Sequence, residues 1–333
     1  MTALILQFIG LAVVIIVAGT LLAKACDVLS VVTGLGGSMT GIVLMGLATS
    51  LPEVSVGCRA ARISEPDLAV GDLLGASLFN LLILAVLDMT TRTGGRLLSR
   101  QAAAHALTAL GSIVMAGIAL LFIVMDLELP TIWRFGPGTL TLMVAYLLSL
   151  RLIYHDQTMT PAVHLESPAR KAVVLTPAAG RKALVAFLLC AAAIFVAGPR
   201  VTDTAEQLAA LTGLGGTFVG TVFLPLATSL PEITTTQQAV RMRSYDLAVG
   251  NILGSNTFNM LILVVVDFVY EGPLLSSVSN THAITAACAI IVTSVDTMGM
   301  LYRVEKHYWL IEPDAILVVL LIGLSLGLVY AAR

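Results

Sequence analysis

Charge is scarce in this sequence. Asp, Glu, Lys and Arg make up 11% of its 333 residues, where a soluble domain carries about 25%. So few charges exclude an ordinary water-exposed globular fold. Cysteine is nearly absent: Cys26, Cys58, Cys190 and Cys288 stand singly among apolar residues. That scatter excludes thiolate metal-ligand spacing and leaves buried packing. The sequence has no H-E-x-x-H, no phosphate-binding glycine loop and no Ser/His pair placed for nucleophilic catalysis. An enzyme is therefore not expected, nor a cofactor, nor a nucleic-acid partner.

What is present is apolar. Hydrophobic residues make up 58% of the chain, and the mean hydropathy is +0.97. Ten apolar runs fall at roughly 3–23, 39–61, 67–88, 102–125, 136–154, 183–199, 217–240, 246–269, 281–301 and 314–331. Runs of about 20 residues match a bilayer core about 30 Å thick. The first run lacks a basic n-region and an A-x-A cleavage site, so it reads as a retained span. Thirteen of the 18 Lys and Arg residues fall on the side of the loops after runs 1, 3, 5, 7 and 9. The positive-inside rule then puts both termini outside the cytoplasm. The expected location is a plasma or inner membrane, with the lipid bilayer as partner.

One stretch occurs twice. Leu47-Ala48-Thr49-Ser50-Leu51-Pro52-Glu53 returns as Leu226-Ala227-Thr228-Ser229-Leu230-Pro231-Glu232, 179 positions later. At the same offset Thr33-Gly34-Leu35-Gly36-Gly37 matches Thr212-Gly213-Leu214-Gly215-Gly216, and Asp88 matches Asp267. Residues 67–80 match 246–259 at nine of fourteen positions. Each half holds five runs, an odd number, so the second half starts from the opposite side of the membrane. The expected fold is an all-α integral membrane protein of ten transmembrane helices in two inverted five-helix repeats. Their bounds are 1–155 and 183–333, joined by a cytoplasmic linker at 156–182.

The repeated stretch carries the chemistry. An acid inside a lipid-buried helix costs about 2.5–3.5 kcal/mol on insertion scales, and here it recurs at matched positions. Pro52 cannot donate to the carbonyl four residues back, so the helix is expected to bend or unwind near Ala48, freeing carbonyls near Gly46 and Leu47. Thr49 and Ser50 add hydroxyls and Glu53 a carboxylate; Thr228, Ser229 and Glu232 repeat the set. Ligation by oxygen alone suits a hard cation such as calcium. Asp72, Ala76 and Asn80 share one helix face, as do Asn251, Ser255 and Asn259. The glycines beside them, Gly71, Gly75, Gly250 and Gly254, read as helix packing. Asp88, Asp267 and Asp296 lie near run ends and read as solvated interface positions. His105 and His282 begin their runs and carry no functional expectation.

These paired motifs resemble the two alpha repeats of the calcium/cation antiporter superfamily, most closely its sodium/calcium exchanger-like members. The resemblance spans the whole chain. It implies a central ion site lined by Glu53 and Glu232, with hydroxyl ligands Thr49, Ser50, Thr228, Ser229 and Ser255. It also implies backbone carbonyl ligands at Gly46 and Pro225, and Asn80 and Asn259 facing the glutamates. Three positions depart from the family pattern: Ala76 replaces serine, Asp72 replaces asparagine, and Asn259 is neutral where an aspartate occurs. The implied function is secondary-active exchange of calcium for sodium by alternating access, with these cations as substrates. The alternatives are a proton- or magnesium-coupled exchanger and, in a different class, a cation channel. The oligomeric state is not legible.

Overall fold

In a computed structural model the described residues are 2–90, 105–125, 130–159, 176–212, 224–301 and 313–331. They form helices in this order: α1 Thr2–Val32, α2 Gly36–Met39, a π-turn at Thr40–Met45, α3 Gly46–Thr49, α4 Leu51–Arg62, α5 Pro66–Thr90, α6 Ala106–Met125 and α7 Pro137–Met159. There follow α8 Pro177–Thr212, α9 Leu224–Thr228, α10 Leu230–Arg241, α11 Tyr245–Val269, a 3-10 turn at Leu274–Ser276, α12 Thr281–Leu301 and α13 Pro313–Ala331.

The described residues are helical apart from turns, loops and one isolated bridge between Ile132 and Phe135. Among them α1, α5, α6, α7, α8, α11 and α12 are the seven helices long and apolar enough to cross a bilayer. The bent pair Gly36–Thr49 and Leu51–Arg62 makes an eighth if counted as one span. The last apolar run appears as α13, whose apolar part Ala315–Val329 is shorter. Residues 217–223 of the seventh run lie outside the described residues, as do 160–175 of the expected linker. So do Arg92, Arg96, Arg100, Arg170, Lys171, Arg303, Lys306 and Arg333, all used above to orient the chain.

Two helices outrun their apolar cores. α1 has 31 residues and α8 has 36, about 46 and 54 Å at 1.5 Å per residue. Lys24 and Asp27 do not stop α1; the chain turns only at Gly34, whose φ of 72° favours glycine. In α8 the helix passes through Pro199, where the sequence predicts an end. Large apolar side chains such as Leu6, Val13, Leu188 and Leu189 are exposed on this pair, as a lipid-facing surface requires.

The two halves interleave instead of sitting side by side. α1 packs on α8, α5 on α11 and α6 on α12, each pair matching helices related by the repeat. α1 also packs on α10 while α8 packs on α4, so each first helix touches the other half's motif helix. Two histidine–aspartate contacts follow the same rule. His282 Nε2 lies 3.0 Å from Asp67 Oδ1. His105 Nε2 lies 3.7 Å from Asp246 Oδ1, and His105 Nδ1 lies 3.4 Å from Ser38 Oγ. Neither contact is legible in the sequence, because each joins residues of opposite halves.

A close backbone approach lies between the segment containing the π-turn and α11. A Cβ added at Gly41 would stand 2.7 Å from the Leu247 carbonyl oxygen, and one at Gly254 would stand 2.5 Å from Ile42 Cα. The backbones touch there, which fixes the broken helix against the most deeply buried helix of the second half. Gly254→Ala should therefore lower stability by about 1–3 kcal/mol, the usual cost of overpacking. Gly323→Ala, which meets nothing within 4 Å, should not lower it. Thermal unfolding in detergent measures both, and equal midpoints would contradict the backbone contact.

Candidate ion-binding site

Both copies of the repeated stretch break their helix in the same way. α3 ends at Thr49, Ser50 leaves helical geometry at φ −86° and ψ 8°, and α4 restarts at Leu51. In the second copy Ser229 has φ −82° and ψ 6°, and α10 restarts at Leu230. Each proline thus sits in the first turn of a new helix, where its missing N–H would lack a partner anyway. The sequence places the bend near Ala48; it falls at Ser50, and the two segments meet at 44°. The reason is that the serine, rather than the residue four before the proline, absorbs the change in ψ. Glu53 and Glu232 consequently sit in the first turn of their helices, where the helix dipole favours a negative charge.

Both glutamates are 1% exposed. Among the described residues neither forms an ion pair with a basic side chain. Ser50 Oγ donates to Glu232 Oε1 across the halves at 3.4 Å, and Ser255 Oγ approaches the same oxygen at 3.5 Å. Thr49 Oγ1 lies 3.2 Å from Ser255 Oγ, 3.4 Å from Asn251 Oδ1 and 3.3 Å from the Gly46 carbonyl. Gly46, Thr49, Ser50, Ser255 and Glu232 thus form one connected set. Thr228 and Ser229 are fully buried. Pro225 lies in α9, and its side chain is outside the described residues.

The two asparagines are oriented by a second network. Asn80 Nδ2 donates to Asn256 Oδ1 at 2.9 Å, Asn256 Nδ2 to the Ser77 carbonyl at 3.1 Å, and Asn259 Nδ2 to Ser77 Oγ at 3.4 Å. Ser77 and Asn256 are repeat mates, 179 residues apart, and they touch. With their amide nitrogens so used, Asn80 Oδ1 and Asn259 Oδ1 have no hydrogen-bond partner among the described residues. Glu53 Oε2, Glu232 Oε2 and Ser229 Oγ share that condition. Buried polar atoms are normally paired. Five buried oxygens without partners, two of them carboxylate, suit a hard cation, whose ligands are oxygens.

Sequence reasoning missed Ser77 and Asn256. The signal was available: they differ between the copies inside the longest matched motif. The acids expected at solvated span ends are instead buried, with Asp88 7%, Asp267 0% and Asp296 1% exposed. For Asp267 the cause is visible. It accepts from Gly136 N at 2.6 Å, Thr139 Oγ1 at 2.5 Å and Leu274 N at 2.8 Å, so two loops fold over it and shut out water. Asp267→Asn should lower stability by about 1–3 kcal/mol, the cost of leaving buried donors poorly paired. An unchanged unfolding midpoint in detergent would contradict this fastening role.

Comparison with known proteins bears on the whole chain. The sequence profile described as sodium/calcium exchanger protein matches residues 3–154 and 182–332. The inner membrane protein YrbG of Escherichia coli is 31% identical over 265 residues, covering 78% of this chain and 77% of that protein. The putative antiporter CaxA of Alkalimonas amylolytica is 23% identical over 269 residues, covering 80% and 81%. Among solved structures, the sodium-calcium exchanger NCX_Mj superposes with a TM-score of 0.70 at 16% identity, over 98% of this chain and 99% of that one. At that identity the likeness concerns the fold.

Proposed function

Because the chain belongs to the sodium/calcium exchanger family and is a multi-pass membrane protein, we propose that it exchanges calcium for sodium by alternating access. The central site is framed by Glu53 and Glu232, with oxygens from Gly46, Thr49, Ser50, Asn80, Pro225, Thr228, Ser229, Ser255 and Asn259. The observation that carries this reading is the set of buried, unpartnered oxygens at the two repeated helix breaks. Two carboxylates supply a charge of −2, enough to neutralise one calcium. When the site is empty, two buried like charges face each other with no basic partner among the described residues, which disfavours crossing unloaded. Calcium and the sodium ions that replace it compete for one set of oxygens, and that competition enforces exchange.

In this reading the chain has ten spans as two inverted repeats, 1–155 and 183–333, with a cytoplasmic linker at 156–182 and both termini outside the cytoplasm. The contact between the repeat mates Ser77 and Asn256 supports a two-fold axis passing between them. α1 and α8 are the moving pair. They expose apolar faces, pack on each other, and cross the opposite motif helices at glycines. A Cβ at Gly19 would stand 2.2 Å from Thr234 Oγ1, and one at Gly198 would stand 2.4 Å from Pro52 Cγ. A shift of this pair is thus transmitted to Glu53 and Glu232. A proton- or magnesium-coupled exchange is the second reading, favoured by Ala76 and Asn259, which remove a hydroxyl and a charge from the family's pattern.

Proteoliposomes loaded with sodium and diluted into sodium-free medium should take up radioactive calcium, and Glu53→Gln or Glu232→Gln should reduce uptake to the level of empty liposomes. Both variants should remain folded and extractable. Full exchange in either would overturn the two-glutamate site, and uptake driven only by a proton gradient would favour the second reading.

A further inference from the structure

Asp267 does more than fasten two loops; it sets them side by side at one end of the molecule. Residues 130–136 lead into α7, and residues 270–274 follow α11. Asp267 accepts from Gly136 N of the first and Leu274 N of the second. Both α7 and α11 are long and apolar enough to cross a bilayer, so the joined loops stand where lipid meets water. They frame an open cleft of about 340 Å³, lined by Thr131, Arg134, Tyr270, Glu271 and Gly272. That volume is at the lower end for small-ligand sites.

The first loop is bent tightly to present Arg134. Ile132 and Phe135 exchange both backbone hydrogen bonds, at 2.8 and 3.0 Å. Trp133 and Arg134 are left as the two central turn residues, with φ of 57° and 84°. Positive φ at both positions marks a type I′ turn, which ordinarily takes Asn-Gly. Two bulky side chains there are strained, and such strain clusters at functional sites. The turn leaves Trp133 90% exposed and holds the Arg134 guanidinium carbon 5.6 Å from the centre of the Phe268 ring. Exposed tryptophan is at home among lipid headgroups. Arg134 and Glu271 are both exposed, and among the described residues neither forms an ion pair. A cation and an anion thus share one cleft without neutralising each other. A zwitterion answers both.

An apolar track runs from this cleft along the spans. On α11 the exposed large apolar side chains are Phe268 and Val265, one turn apart. On α7, which packs against α11, Val144 and Leu148 are exposed. A soluble zwitterion would leave that track uncovered, whereas acyl chains would cover it. We propose that the cleft is a headgroup site for phosphatidylethanolamine, with the phosphate on Arg134 and the ammonium on Glu271. The order follows from the track: the phosphate is the headgroup charge nearer the acyl chains, and Arg134 stands over Phe268. Guanidinium binds phosphate oxygens in pairs, and Thr131 adds a hydroxyl donor. A primary ammonium donates hydrogen bonds to the Glu271 carboxylate, which a choline headgroup cannot do. An anionic glycerol headgroup would leave Glu271 unanswered.

Native mass spectrometry of the detergent-purified protein, titrated with palmitoyl-oleoyl phosphatidylethanolamine, tests this without any transport step. Wild type should hold one such lipid per chain about tenfold more tightly than the phosphatidylcholine or phosphatidylglycerol of the same chains, the worth of one charge-assisted hydrogen bond. Arg134→Gln should weaken binding of all three lipids by about tenfold. Glu271→Gln should remove the preference for ethanolamine and leave phosphatidylglycerol binding no weaker. The exchanged pair Arg134→Glu/Glu271→Arg should not recover, because it reverses the order of charges along the headgroup. Unchanged thermal midpoints in detergent show that the variants are folded. Equal binding of the three lipids by wild type, or an unaltered preference in Glu271→Gln, overturns the proposal. So does displacement of the lipid by free phosphoethanolamine at equal concentration, which would make the ligand a soluble zwitterion.

Discussion

Two carboxylates buried without a basic partner among the described residues constrain everything around them. Glu53 and Glu232 are each about as enclosed as a core leucine, and an unpaired buried charge is among the costliest groups a fold can hold. The structure answers with helix starts, not with lysine or arginine. Each glutamate stands in the first turn after a break, where the peptide dipoles offset part of its charge. That compensation leaves carboxylate oxygens free to face a cation, which a salt bridge would not.

The breaks themselves depend on close backbone contact. The segment before Glu53 contains a π-turn at Thr40–Met45, a geometry that loosens the regular ladder and often marks functional positions. It is held in place by glycine contacts with α11. A helix that is both loosened and clamped can present carbonyls and hydroxyls inward without unravelling. Long α1 and α8 are different in kind: they expose apolar faces and cross the motif helices.

Much of this was legible in the sequence because duplication writes each feature twice. The broken helices, the paired glutamates and the buried Thr49, Ser50, Thr228, Ser229, Asn80 and Asn259 follow from the repeated stretches and their apolar context. The ten-span count and the linker at 156–182 rest on the same reading and remain part of the proposal. What escaped was whatever depends on contacts between halves. The Ser77–Asn256 contact and the two histidine–aspartate contacts join residues whose proximity no local spacing encodes. Asp267 was misjudged because a residue near the end of an apolar run ordinarily meets water, whereas here the loops carrying Gly136 and Leu274 cover it. The position of the bend was missed by two residues, since proline forbids a hydrogen bond without dictating which neighbour changes its backbone angle.

The central claim is that one divalent ion sits between the two copies of the repeated stretch. Anomalous diffraction from crystals soaked with strontium, as an electron-rich substitute for calcium, measures this directly. The account predicts one central peak within about 2.6 Å of both Glu53 Oε2 and Glu232 Oε2, the upper end of calcium–oxygen distances. A peak bound by other residues, or none near this pair at saturating strontium, would contradict it.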